Sequence, residues 1–363
     1  MTVPTPTPPY HGPAEGDDET VENAIELKEV EGLSQGRIVL RRFLRHRGAM
    51  VASMFLLLIV LLATTSIGWG LIPGWWKYDH NALSPIMNAG GAPTIELSTS
   101  GVSFGEHPFG QDNIGRDVFA RVMRGTQQSL TVMVIIGLLA TTIGIVMGSV
   151  SGFLRGRIDN LLMRFTDMVI TIPVIMVGAI LGAWFGRAGP IPLALALSLV
   201  TWTSMARLVR GEFLSLRERE FVDAARVAGA SNTRIMFKHM LPNAVGVIIV
   251  NTTLLMASAI LLETALSYLG FGITFPDVSL GNLISDYQTA FSTRPWLFWW
   301  PGLFIVSIAL CVNFIGDGLR DAFDPRQRRI PSQRSMDRAA ERAAKRAQEA
   351  GGTSAVAISG TGA

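Results

Sequence analysis

A carboxyl group stands inside one of the long apolar runs of the sequence, at Glu263. Charged side chains at membrane depth are costly, and they commonly mark a substrate path or a gate. A hydrogen bond to nearby Ser267, or to another helix of a bundle, explains the residue equally well. The residue type makes Glu263 a candidate for a substrate path or gate and leaves the structural role open.

The second candidate is a charged segment, FVDAARVAGASNTRIMFKHMLPN, which occupies residues 221–243 between two apolar runs. Four residues recur at helical spacing and form one small, smooth stripe: Phe221, Ala224, Ala225 and Ala228. Gly229 follows where a helix commonly ends in a left-handed residue, which glycine adopts without the roughly 1–2 kcal/mol penalty of other residues. The pattern predicts a short helix with a glycine stop.

The rest of this segment predicts a turn and a return to the membrane. Ser231 can cap a second short helix, although Arg234 stands where a capping box has Glu or Gln. Pro242 is tolerated in the first turn of the next helix, so the excursion closes where the next apolar run opens. An amphipathic helix with alanines at contact positions suits docking into a partner's groove. Packing against its own chain fits the same pattern, and the residues alone do not decide between the two.

These candidates lie in a chain whose composition indicates the bilayer as solvent. Of its 363 residues, 49% are hydrophobic and 16% charged, and the mean hydropathy is +0.36. Six runs are long enough to cross about 30 Å of hydrocarbon: 49–69, 130–153, 168–185, 190–206, 245–269 and 296–315. We predict an all-α membrane protein with six transmembrane helices. Cys311, the single cysteine, falls inside the last run and cannot form an intrachain disulfide.

Arginines predict the orientation of the spans. They crowd the stretch before the first run and the loops between runs two and three and between runs four and five, whereas the alternate loops are poor in positive charge. Short loops rich in Lys and Arg remain in the cytoplasm, which places both termini there. Tryptophans at 69, 75 and 76 and at 296, 299 and 300 then fall at the outer interface.

The same patterns divide the chain into five regions. Residues 1–36 form a Pro-rich and acidic leader predicted to be disordered. Residues 37–90 hold a basic amphipathic stretch, the first span and the start of an outer segment, and residues 91–129 form an extracytoplasmic segment. The amphipathic stretch is either an interfacial helix or an extension of span one. A five-helix core follows over 130–326, with the charged loop at 207–243, and then a basic cytoplasmic tail at 327–363.

Several functions lack their motifs. No phosphate-binding G-x-x-x-x-G-K-[ST] loop occurs, so this chain does not hydrolyse ATP by that route. No His/Cys/Asp cluster or nucleophile motif indicates a metal site or a membrane-embedded enzyme. The net charge of +3 comes from arginines beside the spans, which topology explains without nucleic acid. The outer segment is also short for a complete ligand-binding domain.

A family resemblance decides what the residues left open. DAA, three residues, Gly229, nine residues and then HMLP resemble the EAA loop of binding-protein-dependent importer permeases of the ABC superfamily. Asp223 replaces Glu, and His239 replaces an apolar residue. HPFGQDNIGRDVFARVMRGTQQSL, ETALSYLGFG and GDGLRDAFDPR resemble further segments of the C-type dipeptide, oligopeptide and nickel permeases. The resemblance covers roughly residues 37–326.

The resemblance implies a fold, a site and partners. The fold would be the type I, MetI-like permease of ABC importers, and the charged loop its coupling helix. The residues carried over to ATPase coupling are Asp223, Ala224, Ala225, Gly229, Leu241 and Pro242. Partners would be a homologous B-type permease, two ATPase subunits that hold ATP and Mg, and an extracytoplasmic substrate-binding protein. This chain, in a bacterial cell membrane, would bind no cofactor of its own.

Some candidate residues have both a functional and a structural explanation. Arg116 and Asp117 could contact a docked binding protein, and a structural salt bridge or cap explains them as well. Arg164 and Asp167, three residues apart, are predicted to pair locally. Pro173 and Pro301 are candidates for a kink or a helix start.

Three functions compete. The leading one is a permease subunit of an ATP-driven importer of short peptides, with nickel or another small solute as the alternative cargo. An ion-coupled secondary transporter would need ion ligands near the midplane and commonly shows internal repeats, of which none is evident. A membrane scaffold or enzyme finds little support.

Overall fold

The computed structural model describes residues 35–98 and 101–323. Most of the predicted leader and the predicted basic tail lie outside the described residues. Eleven helices organise the described part: α1 Gln35–Arg45, α2 Arg47–Ser66, α3 Val118–Leu154, α4 Gly156–Thr171, α5 Val174–Phe185, α6 Pro190–Thr201, α7 Thr203–Arg217, α8 Glu220–Val227, α9 Leu241–Tyr268, α10 Leu280–Tyr287 and α11 Trp296–Phe323. Shorter helical pieces are Ala89–Gly91, Gly186–Ala188, Asn232–Arg234, the π-helical Ile235–Met240, and Gln288–Ala290.

Within residues 35–98 and 101–323, four helices are long and apolar enough to cross a membrane: α2, α3, α11 and the stretch Asn232–Tyr268, which includes α9. Two bent pairs bring the number to six if each pair is one span. The pair α4 and α5 bends by 80°, and the pair α6 and α7 by 45°. The six predicted runs all fall on these helices, but runs three and four are not straight spans.

The boundaries differ from the apolar runs for local reasons. Helix α3 begins at Val118 rather than at Leu130, because the Asp117 side chain accepts a hydrogen bond from the Ala120 amide and caps the helix there. Pro173 lies directly before α5 in an extended conformation. Proline has no N–H to donate within a helix, so a break at this position is expected. Pro301 lies inside α11, which continues through it.

The basic stretch before the first span forms a helix of its own. Helix α1 ends at Arg45, and His46 adopts an extended conformation before α2. The Nδ1 atom of His46 accepts a hydrogen bond from the Ala49 amide and caps the new helix. The basic stretch is therefore separate from α2, with Leu40 and Leu44 exposed on it, while its position at the membrane interface stays a prediction.

Small residues allow a close contact between α3 and α7. Gly144, Gly148 and Gly152 lie one turn apart along α3, and a Cβ atom on any of them would overlap α7. Such spacing lets helix backbones approach closely in a membrane, where packing rather than water exclusion drives association. Helix α7 is thereby fixed along the second half of α3.

Two hairpins form a layer at the start of α3, which we call the hairpin layer (residues 67–117). Strands β1 Gly68–Trp69 and β2 Ile72–Pro73 pair antiparallel, as do β3 Ile95–Ser98 and β4 Gly101–Phe104. The 37 residues of α3 extend about 55 Å from this layer. The hairpin layer and the loops near Leu154 therefore lie at opposite ends of the molecule.

Candidate functional site

The segment 220–243 leaves the bundle beyond α7 and begins with the eight-residue helix α8. Val222 is fully buried, and Ala225 packs beside it against the same cluster. The opposite side of α8 is exposed, with Phe221, Ala224 and Val227 on it; Val227 is 90% exposed. The predicted stripe is therefore split, because Ala225 faces the molecule while Phe221 and Ala224 face outward.

Gly229 ends α8 in the left-handed conformation that the sequence predicts, with φ +76°. The Ala230 amide donates to the Ala225 carbonyl at 3.0 Å, and the Gly229 amide donates to the Arg226 carbonyl at 2.9 Å. Together these bonds form a Schellman motif, and the contact of Ala230 and Ala225 with one apolar cluster completes it. The stop is thus fixed by backbone hydrogen bonds and by packing.

The second part of the segment differs from the predicted turn and re-entry. Ser231 Oγ accepts a hydrogen bond from the Arg234 amide at 3.4 Å, as predicted. From Asn232 onward the chain stays helical, and Ile235–Met240 is π-helical. Pro242 cannot donate to the carbonyl four residues earlier. The backbone hydrogen-bond pattern of the helix shifts just before this proline. The Leu241 amide donates to the Met236 carbonyl, five residues earlier, as in a π-helix.

The π-helical turn joins the segment directly to α9 instead of closing it off. Asn243 Nδ2 donates to the His239 carbonyl at 2.6 Å, so a side chain satisfies a carbonyl close to the proline. Leu241 packs against the buried cluster of the segment. No loop therefore separates the segment from α9.

An apolar cluster holds the segment on the ends of α3, α7 and α9. Its buried members are Phe153, Met205, Val209, Phe213, Val222, Ile235, Met236, Met240, Ala244 and Ile248. At its edge, Arg217 Nη1 donates to the Phe153 carbonyl at 2.5 Å, and Arg155 pairs with Glu218 at 2.5 Å. The inner side of the segment is firmly anchored, which leaves its outer side for other contacts.

Ion pairs join α4 to α7 beside this cluster. Arg210 binds both carboxylate oxygens of Asp159, at 2.6 and 2.7 Å, and Ser151 Oγ donates to the same carboxylate at 2.5 Å. Asp167 pairs with Arg207 at 2.5 Å. The predicted local pair of Arg164 with Asp167 is wrong, because Arg207 of another helix binds this carboxylate instead.

Glu263 is fully buried and is held by hydroxyl groups on two helices. Ser267 Oγ, one turn along α9, donates to Oε1 at 2.6 Å, and Ser129 Oγ of α3 donates to Oε2 at 2.8 Å. Both oxygens therefore have a partner, as buried polar groups require. This geometry matches the structural explanation of Glu263, while its role in a substrate path or gate stays a prediction.

Asp117 organises the hairpin layer and is only 1% exposed. Besides capping α3, it accepts a hydrogen bond from Trp76 Nε1 at 2.8 Å and lies 2.8 Å from His107 Nδ1. Arg116 pairs with Asp112 at 2.6 Å, and its side chain is 21% exposed. Asp117 is thus a structural residue beneath the surface, and Arg116 is the member of the pair that a docked protein could reach.

Asp112 and Arg121 form a second buried centre in this layer, which the sequence pattern did not single out. Arg121 lies 3.5 Å from Asp112 and 3.2 Å from Asp286, and its guanidinium stands over the ring of Tyr287. Burial raises the pKa of the Asp286 carboxyl, and Arg121 partly opposes this shift. Burial also raises the pKa of the Tyr287 hydroxyl. The centre ties α10 to the start of α3.

Metal ligands do not gather in the described residues. Over 35–98 and 101–323, no group of three or more His, Cys, Asp or Glu side chains could hold a metal ion. The polar centres described above consist of ion pairs and hydroxyl contacts. Their chemistry is that of helix fixation.

Comparisons with known proteins give one consistent picture. Residues 113–329 match the family described as "Binding-protein-dependent transport system inner membrane component", and residues 34–89 match "N-terminal TM domain of oligopeptide transport permease C". The oligopeptide transport system permease protein OppC of Escherichia coli (strain K12) is 38% identical over 310 residues, which are 85% of this chain and 97% of the relative. OppC of Mycobacterium tuberculosis (strain H37Rv) is 36% identical over 301 residues, 83% and 98% of the two chains.

Solved structures are similar as well. One of them shows inward-facing conformations of the MetNI methionine ABC transporter. The match has 18% identity and a TM-score of 0.46, and it covers 55% of this chain and 95% of the other.

Proposed function

Because the chain belongs to the binding-protein-dependent family of inner membrane transport components, as an OppC-type ABC permease, we propose that it couples ATP use to the import of short peptides. In this proposal it forms half of the translocation path. A homologous B-type permease forms the other half, and two ATPase subunits bind ATP and Mg. An extracytoplasmic binding protein delivers the peptide.

The proposal rests mainly on the observation that α8 has one buried face and one exposed face. Val222 and Ala225 fix the helix to the bundle, while Phe221, Ala224 and Val227 face outward from it. An exposed apolar and small-residue face on a firmly held helix is the form that fits a groove of another protein. The absence of a phosphate-binding loop in this chain means that the partner must supply ATP hydrolysis.

Coupling requires that the docked contacts differ between two states of the transporter. The segment is suited to this because it connects to the bundle on both sides: α7 leads into it, and the π-helical turn continues into α9. When the ATPase subunits close, a rigid-body shift of α8 would move α7 and α9 together. Alternating access would follow from that shift.

Orientation belongs to the same proposal. We propose that α8 and both termini lie in the cytoplasm and that the hairpin layer faces the binding protein, and the arginines next to the spans support this orientation. Arg116 is our candidate for contact with that protein. The cargo is inferred from the relatives, whose printed names describe oligopeptide transport.

Uptake of a radiolabelled tripeptide by membrane vesicles that carry the complete complex tests the proposal. We expect uptake that requires ATP, is inhibited by vanadate and survives a protonophore. Uptake that proceeds without ATP and stops with the protonophore would instead show an ion-coupled secondary transporter. Mass spectrometry of the purified complex, with its subunits and bound ligand, identifies the partners and the cargo.

A further inference from the structure

A cavity of 670 Å³ opens on the membrane part of the molecule, where both bent helix pairs meet α9. Its walls come from the junction of α4 and α5, from the junction of α6 and α7, and from the middle of α9, between Asn251 and Leu262. The volume lies within the range of about 300–1,000 Å³ that is typical of small-molecule sites. The cavity is thus large enough for a small solute and lies near the middle of the span.

One short stretch of backbone at this cavity, at the junction of α4 and α5, is not helical. Ile172 and Pro173 are extended, with ψ values of 125° and 121°, and proline has no N–H to continue the ladder. Residues 171–176 are exposed in this chain. Open backbone at membrane depth is tolerated only where other protein buries it or where it lines a water-filled cavity. A position facing lipid is therefore excluded for this wall.

Polar side chains gather on the same walls. They are Thr201, Thr203, Ser204, Asn251 and Ser258. Asn251 Nδ2 donates to the Val247 carbonyl at 2.9 Å, which leaves the amide oxygen and a second N–H for another partner. Ser204 and Ser258 are exposed. Polar groups on membrane helices face a bundle interior or a water-filled cavity rather than lipid, so they support the conclusion drawn from the backbone.

We infer that this cavity lines the aqueous path of the transported peptide, and that Ser204, Asn251 and Ser258 contact the peptide backbone. The inference rests on the proposed function, whose cargo is a short peptide. Peptide bonds both donate and accept hydrogen bonds, as an amide and hydroxyl groups do. The remaining described wall residues are apolar and none is charged. Such a lining recognises the backbone common to all peptides and does not select the charge of their side chains.

Cysteine modification in the complete complex tests the inference. Ser204→Cys and Ser258→Cys are made in a Cys311→Ala background, which removes the only native thiol. Leu138→Cys is the matched control, since Leu138 is 56% exposed on α3 and lies two residues from the wall residue Ile136 but outside the lining. A charged, membrane-impermeant methanethiosulfonate reagent reacts with thiolates in water, so both cavity positions should react at least about tenfold faster than the control. Trialanine, supplied with the binding protein, should slow both reactions.

Equal rates at all three positions in assembled complexes would overturn the inference. That result would mean that lipid, or a helix of the second permease, fills the cavity. If one serine variant fails to assemble, Thr201→Cys on the same wall provides the same readout. Failure of the proposed function is a separate result: the Cys311→Ala parent would then show no ATP-dependent peptide uptake.

Discussion

At the scale of single residues, Gly229 is required for its backbone conformation and not for lack of space. Its φ of +76° is one that side chains rarely adopt, yet a Cβ atom at this position would meet nothing within 4 Å. Gly211 in α7 has the same open surroundings and no positive φ. Neither site is crowded, so a comparison of the two glycines isolates the effect of backbone strain.

Gly229→Val should abolish peptide uptake while insertion and assembly persist. The left-handed conformation costs a branched residue about 1–2 kcal/mol, which strains the stop of α8 without unfolding the bundle. Gly211→Val, the matched control, should transport normally. Uptake by vesicles, normalised to the assembled complex, provides the measurement, and normal uptake by the Gly229 variant would refute its role in coupling.

Glu263→Gln should lower thermal stability and leave uptake per assembled complex unchanged. The amide replaces one acceptor oxygen, so a buried serine hydroxyl loses its acceptor at a cost of about 1–3 kcal/mol. Glu106→Gln in the hairpin layer is the control, because that carboxylate is half exposed and its ion pair with Lys77 is weak. Thermal unfolding of the purified complex is compared with uptake. Reduced uptake by a fully stable Glu263 variant would place this residue in the substrate path instead.

At the scale of elements, the sequence predicts what is encoded locally. The glycine stop at 229, the Ser231 cap and the break at Pro173 depend on one residue and its neighbours, and all three are present. The bend at Trp202 and the pairing of Arg207 with Asp167 depend on packing between helices. Spacing along one helix carries no information about such contacts, which is why the local pair with Arg164 was wrong.

The π-helical turn Ile235–Met240 shows the same limit. Pro242 allows a helix to start, and the sequence gives no sign that the helix has already begun at Asn232. The buried side chains Ile235, Met236 and Met240 keep this stretch helical by tertiary packing. Propensity and capping rules predict that a helix can start near Pro242. Packing in the core determines that this helix is continuous with the stretch from Asn232.

Asp117→Ala should destabilise the hairpin layer more than Arg116→Ala does. The alanine removes the cap of α3, worth about 0.5–2 kcal/mol, and leaves the Trp76 and His107 side chains without their partner. Arg116→Ala costs less, because Arg121 still lies next to Asp112. Thermal unfolding of both variants checks this order, which equal unfolding temperatures would contradict. A loss of stimulation by the binding protein in the stable Arg116 variant would support a docking contact.

At the scale of the whole molecule, α7 links the cavity to α8, the two regions to which we propose functions. It begins at the cavity with Thr203 and Ser204 and ends at Arg217, just before α8. Its 15 residues extend about 22 Å. Close packing on the glycines of α3 and the ion pairs with α4 hold it against its neighbours. A push on α8 would therefore reach the cavity as a movement of one stiff element.

Cross-linking from α8 tests this account most directly. Val227→Cys, in the Cys311→Ala background, is labelled with a benzophenone maleimide and irradiated in the complete complex. Leu71→Cys, fully exposed in the hairpin layer, is the control. We expect position 227 to cross-link to an ATPase subunit and position 71 never to do so. An ATPase cross-link from position 71, or only intrachain products from position 227, would contradict coupling through α8.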